Sequence, residues 1–362
     1  MKPLFASLLY VCMNSVICSA QERITLLFVG DLMQHRAQIE AARQADGTYD
    51  YAPCFAAVEA DIRRADLAIG NFEVTAGGAP YTGYPAFSAP DEYLHAVHRA
   101  GFDVLLTANN HCLDRGAKGL VRTIALMDSL AIPHAGTYLS ERQRSAAYPL
   151  LIEKKGFRIA LLNYTYGTNG ISVKPPYIVN YIDREVMQRD IRRARAMRPD
   201  VIIACMHWGV EYQRLPDGGQ RDLARWLLEQ GVDHVIGSHP HVVQPAEICT
   251  RGLDDHVIVY SLGNYISNMS APDTDGGMAV TLELEKVPAI WPVCRLRSCG
   301  YSLVWTARPH LTGRKNFELM PVNDAVADTL PEAARSKMLR FASRTRSLLD
   351  KYNKGICESS GF

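Results

Sequence analysis

Residues 201–241 read VIIACMHWGVEYQRLPDGGQRDLARWLLEQGVDHVIGSHPH, and their order decides the fold. A compact apolar run (VIIACMHW, 201–208) comes first, a helix at roughly 219–230 follows, and a second apolar run (VDHVIGSH, 232–239) closes the unit. Short continuous apolar runs read as strands buried on both faces. A strand, a helix and a further strand in that order are the repeating unit of an α/β protein with largely parallel pairing.

The alternation continues in both directions. Towards the N-terminus lie FRIALLNY (157–164) with a helix at roughly 183–197 after it, a helix at 118–130, FDVLLTAN (102–109), a helix at 95–101 closed by Gly101, and DLAIGN (66–71). Residues 52–65 carry helical spacing of Phe55, Val58 and Ile62, and ITLLFVG (24–30) is the first strand. Towards the C-terminus comes HVIVYSLGN (256–264). MAVTLELEK (278–286) and YSLVWTARP (301–309) then alternate like half-exposed antiparallel strands. Residues 331–350 form a basic amphipathic last helix. No long Pro/Ser-rich linker and no fixed-period repeat interrupts the chain. One compact domain over 21–325 is expected, with a C-terminal helix and tail over 326–362.

Polar residues fall where the strands end. Asp31, with His35 beyond it, follows the first strand, and Asn71 and Glu73 the second. Asn109, Asn110, His111 and Asp114 follow the third. Later come His207 with Glu211, His239 with His241, and Asn264. The carboxyl edge of such a sheet is where ligands bind, because the loops leaving the strands converge there. Imidazole and carboxylate together suit zinc, manganese or iron, and two ions about 3.5–4 Å apart can share a bridging carboxylate. His239 and His241 are two residues apart, which puts both side chains on one side of an extended segment. Taken singly these residues have plainer readings: Asp31 can cap a helix, Asn110 can hold a turn, and one HxH pair is a weak signal. The series at successive strand ends points to a joint metal site.

Composition narrows the partners. With 39 basic and 38 acidic residues, the formal charge of +1 gives no electrostatic case for nucleic acid. An anionic polymer would have to meet a local patch. RDIRRARAMR (189–198) is one, although on a helix it reads first as a solvated face. The amino end, with Lys2, an apolar stretch from Leu4 to Cys18 and small residues before Gln21, has the pattern of a secretory signal over 1–20. The protein is therefore expected to be exported, to a periplasm or the cell surface. Cys18 admits a lipoprotein reading, but Ile17 is a poor residue before such a cut. Of the nine cysteines, seven would remain, an odd count at irregular spacing that argues against a bridged framework. Cys294–Cys299 across a short turn is the best disulfide candidate. Cys112 and Cys205 sit in strand-like segments as packing residues.

FVGDLM (28–33), GNFE (70–73), TANNHCLDRG (107–116), MHWGVEY (206–212), GSHPHVVQP (237–245) and YSLGNYI (260–266) resemble, in order, the motif series of the bacterial capsule-synthesis CapA family. That family includes the PgsA-type proteins of poly-γ-glutamate production and is similar to the calcineurin-like metallophosphoesterases. The resemblance implies a four-layer α/β/β/α metallophosphatase-like sandwich with mixed sheets and a strand-end site for one or two divalent ions (Zn, Mn or Fe). It implies Asp31 and His241 on a first ion, Asn110, His207 and His239 on a second, and Glu73 between them. His111 would be the acid for the leaving group, with Asp114 orienting it. Glu211, Asn71 and Asn264 are candidates for substrate contact, and Tyr164, Tyr166, Trp208 and Tyr212 either line a groove or pack in the core. The sequence departs from the phosphoesterase pattern in three ways. His35 follows Asp31 by four residues instead of two, Glu73 replaces an Asp, and Asp114 and Glu211 have no counterpart.

The function so implied is a metal-dependent hydrolase or transferase in capsule or poly-γ-glutamate processing, acting on an amide or phosphoester bond. Its partners would be an anionic polymer or cell-envelope substrate and capsule-assembly membrane proteins. Two other readings stand beside it: a non-catalytic component that binds and exports the polymer, and a periplasmic metallophosphoesterase.

Overall fold

The apolar runs pair into two mixed sheets that face each other. The computed structural model describes residues 22–287 and 293–359; the export signal read over 1–20, with Cys18, lies outside them. In the larger sheet the strands Arg23–Leu32, Leu67–Phe72, Val104–Leu106 and His134–Ala135 run parallel, and Asn264–Ile266 adds to the first of them. Antiparallel strands Gly276–Val287, Val293–Ala307 and Glu318–Pro321 extend that sheet on its other side. In the second sheet Phe157–Thr165, Val201–His207, His234–Ser238 and Asp254–Val259 are parallel, bordered by antiparallel Leu150–Lys154 and Ala246–Arg251.

Strand periodicity explains why the runs are continuous rather than alternating. Ile24, Leu26 and Phe28 point between the sheets, where they meet Ile159, Leu161, Ile203 and Cys205. Their neighbours Leu27 and Val29 point the other way, onto Val58, Ile62, Leu94 and Val97 of the outer helices. On the far sheet Leu162, Ala204 and Met206 pack against Met187, Ile191, Leu223 and Leu227. Both faces of each central strand are dry, so every position is apolar, and each fully buried Leu or Ile contributes about 1.5–3 kcal/mol. The layers run helix, sheet, sheet, helix, as expected from the sequence.

Several boundaries differ from the sequence reading. Residues 52–65 form two helices, Ala52–Phe55 and Glu59–Arg64, because a tighter turn (Val58 N to Phe55 O, 3.0 Å) interrupts them. The run 256–264 belongs to both sheets: the chain leaves one at Val259 and joins the other at Asn264. Gly263, at φ 69°, makes that crossing. Cys112 lies in the turn after Val104–Leu106, buried but not on a strand. Cys294 and Cys299 are both free on the one strand Val293–Ala307, with no turn between them. Five residues of strand separate them by about 16 Å, too far for a bridge. The boundary drawn at 325/326 falls inside the helix Asp324–Ala327. The last helix, Glu332–Tyr352, is no appendage either: it places Ala334, Met338, Phe341 and Leu349 in the core between the sheets. RDIRRARAMR is a solvated face, with Ile191 and Ala194 inward and Arg189, Arg192, Arg193 and Arg195 exposed. Among the described residues no helix is long and apolar enough to cross a membrane.

His234 begins its strand in this core, and its Nδ1 accepts from Val257 N at 3.1 Å. Burial pushes its pKa from 6.5 down to about 3. A depressed imidazole leaves the unfolded chain binding the extra proton, so its contribution to stability is present above pH 6.5 and lost as pH falls towards 3. Denaturant melts of His234→Gln against the parent across that window are expected to show a dependence on pH flatter by about one proton. Parallel slopes would contradict this.

Candidate metal centre

The parallel strands of both sheets end on one edge, and that geometry assembles the site. Asp31 is near the end of Arg23–Leu32, Glu73 follows Leu67–Phe72, and Asn110 and His111 lie in the turn after Val104–Leu106. From the other sheet His207 closes its strand, and His239 and His241 follow His234–Ser238. The approach is close. Asp31 N donates to Gly263 O at 3.0 Å, and a Cβ on Gly30 would stand 1.9 Å from that oxygen. Only glycine fits at position 30.

Two sets of ligand atoms converge. Glu73, His239 and His241 form one, and Asp31, Glu73 and His207 the other, with the atoms of each set within 4.8 Å of one another. Glu73 belongs to both, the bridging position. Its Oε1 lies 3.6 Å from His207 Nε2 and 3.8 Å from His241 Nε2. Asn110 Oδ1 is 2.8 Å from His207 Nε2. The nearest contacts follow the expected grouping: His241 Nδ1 is 3.2 Å from Asp31 Oδ2, and the His207 ring, beside Asn110, is 4.8 Å from that of His239. The backbone at His239 and His241 is not extended: φ is 102° and 58°, a left-handed region that non-glycine residues rarely occupy. Convergence of this pair comes from that conformation and not from strand alternation.

The donor set fits a divalent cation. Asp31 and Glu73 are wholly buried, and Asp31 Oδ2, Glu73 Oε1 and His239 Nδ1 have no hydrogen-bond partner among the described residues. His241 Nδ1 lies 3.0 Å from Asn264 Oδ1 and 3.2 Å from Asp31 Oδ2. Asn264 Oδ1 and Asp31 Oδ2 both face His241 Nδ1, which leaves Nε2 with a free lone pair whenever the ring is neutral. Burial, and then the charge of Asp31, push Glu73 well above the usual carboxylate range. Burial acts upward on Asp31 too, but His241 outweighs it and holds Asp31 below its ordinary value. Burial is likewise opposed at His241, which Asp31 keeps above 6.5. Burial drives His207 well below that value and His239 down to about 3. Two close carboxylates with neutral imidazole lone pairs are what a bound cation would reconcile.

The remaining candidates divide by depth. Asn71 and Asn264, expected at the substrate, are buried and engaged with ligand side chains instead. Asn71 Nδ2 donates to Asp31 Oδ1 at 2.7 Å and lies 3.2 Å from Glu73 Oε2, and Asn264 Nδ2 donates to Thr274 O at 2.8 Å. Asn109, which the sequence flagged only as a neighbour of Asn110, donates to Phe72 O at 2.9 Å and holds the Glu73 turn. His111 Nδ1 is 2.7 Å from Asp114 Oδ2, which also accepts from Phe87 N at 2.8 Å. His111 and His241 line a cavity of about 330 Å³ with Glu211, Tyr212 and His35. His35 is outside both ligand sets: it accepts from Asn268 N at 3.2 Å, and burial takes it to about 4. Tyr164 and Trp208 are core residues, whereas Tyr166 and Tyr212 are about half exposed, with Tyr166 4.5 Å from the His239 ring.

Fold and site together define a two-sheet α/β protein with a buried His/Asp/Glu centre. Residues 25–269 match the family described as bacterial capsule synthesis protein PGA_cap, and the chain belongs to that family. It is 30% identical over 274 residues to the PGA biosynthesis protein CapA of Bacillus subtilis, covering 72% of this chain and 67% of that one. It is 30% identical to the capsule biosynthesis protein CapA of Bacillus anthracis, over 68% of this chain and 60% of that one. About a third or more of each relative therefore lies outside the match. Among solved structures it is similar to the NAD nucleotidase of Haemophilus influenzae (12% identical, TM-score 0.49, 94% of this chain and 65% of that one).

Glu73→Gln separates the two states of the site. In chelator-treated protein it removes a carboxyl group whose ionisation is opposed by burial and by Asp31, so its melting temperature should rise. Adding Zn, Mn or Fe should raise the parent's, by about 2.7 kcal/mol of stability at a hundredfold excess over the dissociation constant, and leave the variant unmoved. Equal metal response in both proteins would contradict the assignment.

Proposed function

We propose that the protein is an exported metal-dependent hydrolase or transferase that processes capsule or poly-γ-glutamate material, cutting an amide or phosphoester bond. The observation that carries this reading is the His111–Asp114 pair, which shares a cavity with the ligand His241. Family membership and the names of the two Bacillus relatives support the substrate class.

Asp31, Glu73, His207, His239 and His241 would hold a divalent ion, which would supply Lewis acidity towards a scissile-bond oxygen and an attacking water. The chain's own residues do the rest. Asp114 fixes His111 Nδ1 as the donor nitrogen and stabilises the imidazolium, whose Nε2–H can then pass its proton to the departing group and leave the neutral ring. Phe87 N holds Asp114, and the Phe87 ring packs edge-on to His111 at 4.6 Å, so the imidazole cannot rotate freely. Tyr166 and Tyr212 stand at the open side, where they shield the site from bulk water.

Metal-loaded protein should be screened against γ-glutamyl oligomers and against phosphomonoesters and diesters. His111→Ala should lower turnover by about 10²–10⁴-fold with metal content unchanged, as removal of a general acid does. Asp114→Asn should lower it less and shift the pH profile. A chain that binds polymer equally well with and without His111, and turns nothing over, is the non-catalytic export component instead.

A further inference from the structure

Beyond the metal centre, the segment 268–275 is a shared wall. Ser270 and Ala271 line the catalytic cavity on one side and a second cavity of about 300 Å³ on the other. Four cations line that second cavity, Arg308, Lys337, Arg340 and Arg344, against two carboxylates, Asp273 and Asp275. Both carboxylates are already engaged. Asp273 takes Arg344 at 2.7 Å and Arg214 at 3.4 Å, and Asp275 accepts from Trp305 Nε1 at 3.0 Å. Lys337 and Arg340 have no ion-pair or hydrogen-bond partner among the described residues, and both are exposed. Positions 337, 340 and 344 of the helix Glu332–Tyr352 fall on one face, while Met338 and Phe341 between them anchor the helix in the core. Arg308 is half-buried, and its guanidinium donates to Met269 O within the shared wall.

Resting on the polymer-processing reading above, we infer that this cationic groove is a subsite for a chain bearing repeated carboxylates, which it leads to the metal centre. A cleft of one charge sign concentrates the opposite sign, and the Arg340 fork matches a carboxylate. The groove is distinct from the denser basic run at 189–198. Residues 189–196 of that run lie on the helix Arg184–Ala196, whose Arg189 lines a different cavity that shares no residue with the metal centre.

The test is fluorescence anisotropy with full-length protein and a labelled γ-linked hexaglutamate, with unlabelled hexaglutamine and a polyphosphate of similar length as competitors. Lys337→Ala/Arg340→Ala changes only exposed helix positions to the best helix former. It should weaken binding of the hexaglutamate about five- to tenfold, the scale of two exposed ion pairs. Arg189→Ala/Arg192→Ala, which removes equal charge elsewhere, should leave binding unchanged, and hexaglutamine should not compete. His239→Ala/His241→Ala should still bind, so loss of metal chemistry and loss of the groove read out separately. The inference is overturned if the two arginine and lysine pairs weaken binding equally, or if the hexaglutamate does not bind the parent. It is also overturned if only polyphosphate binding depends on Lys337 and Arg340, which would give the groove to phosphates.

Discussion

Two carboxylates shut away from water beside each other are the constraint on which the rest of the structure turns. Asp31 and Glu73 come from adjacent parallel strands, wholly buried where the edges of two sheets meet. Such a pair is strongly unfavourable alone, by several kcal/mol for each unpaired ion. The surroundings are arranged around that cost. Asn71 sits between the two and touches both, His241 pairs with Asp31, and His207 and His239 present neutral nitrogens. Two further expenditures are local: left-handed backbone at His239 and His241 costs on the order of 1–3 kcal/mol at each residue. A core buried on three interfaces holds these conformations in place.

The same arrangement couples fold to chemistry. Because the chain crosses from one sheet to the other at Gly263, Asn264 reaches His241 from the sheet that carries Asp31. Ligands from both sheets are thereby fixed relative to one another by backbone ladders, not by loops alone. The hydrogen-bonded pair His111–Asp114 stands at the rim of this centre, and the half-exposed tyrosines border it. The cationic groove is built from later parts of the chain, the helix Glu332–Tyr352 and the residue Arg308, packed on the same core.

Much of this was legible in the sequence, for identifiable reasons. Strands buried on both faces leave continuous apolar runs, so the alternation of 201–241 announced the architecture. Asp31, Glu73, His207, His239 and His241 were visible because each follows such a run. What was not legible depends on distance rather than order. Spacing does not say which histidine meets which carboxylate, and His239 and His241 converge through a backbone state that no periodicity encodes. Asn71 and Asn264 read as substrate contacts because only the packed structure shows their amides spent on ligand side chains. Cys294 and Cys299 read as a turn-closing pair because a strand running through both was not apparent. Arg308, Lys337 and Arg340 carried no sequence signal, because they are scattered along the chain and gathered only by folding.

Asp31, Glu73, His207, His239 and His241 form a candidate centre for a divalent cation. Quantifying Zn, Mn and Fe by inductively coupled plasma mass spectrometry in purified residues 21–362, beside a His239→Ala/His241→Ala variant, tests it most directly. One or two ions per chain are expected, lost in the folded variant. A folded parent chain that retains no ion after incubation with each metal would contradict that assignment.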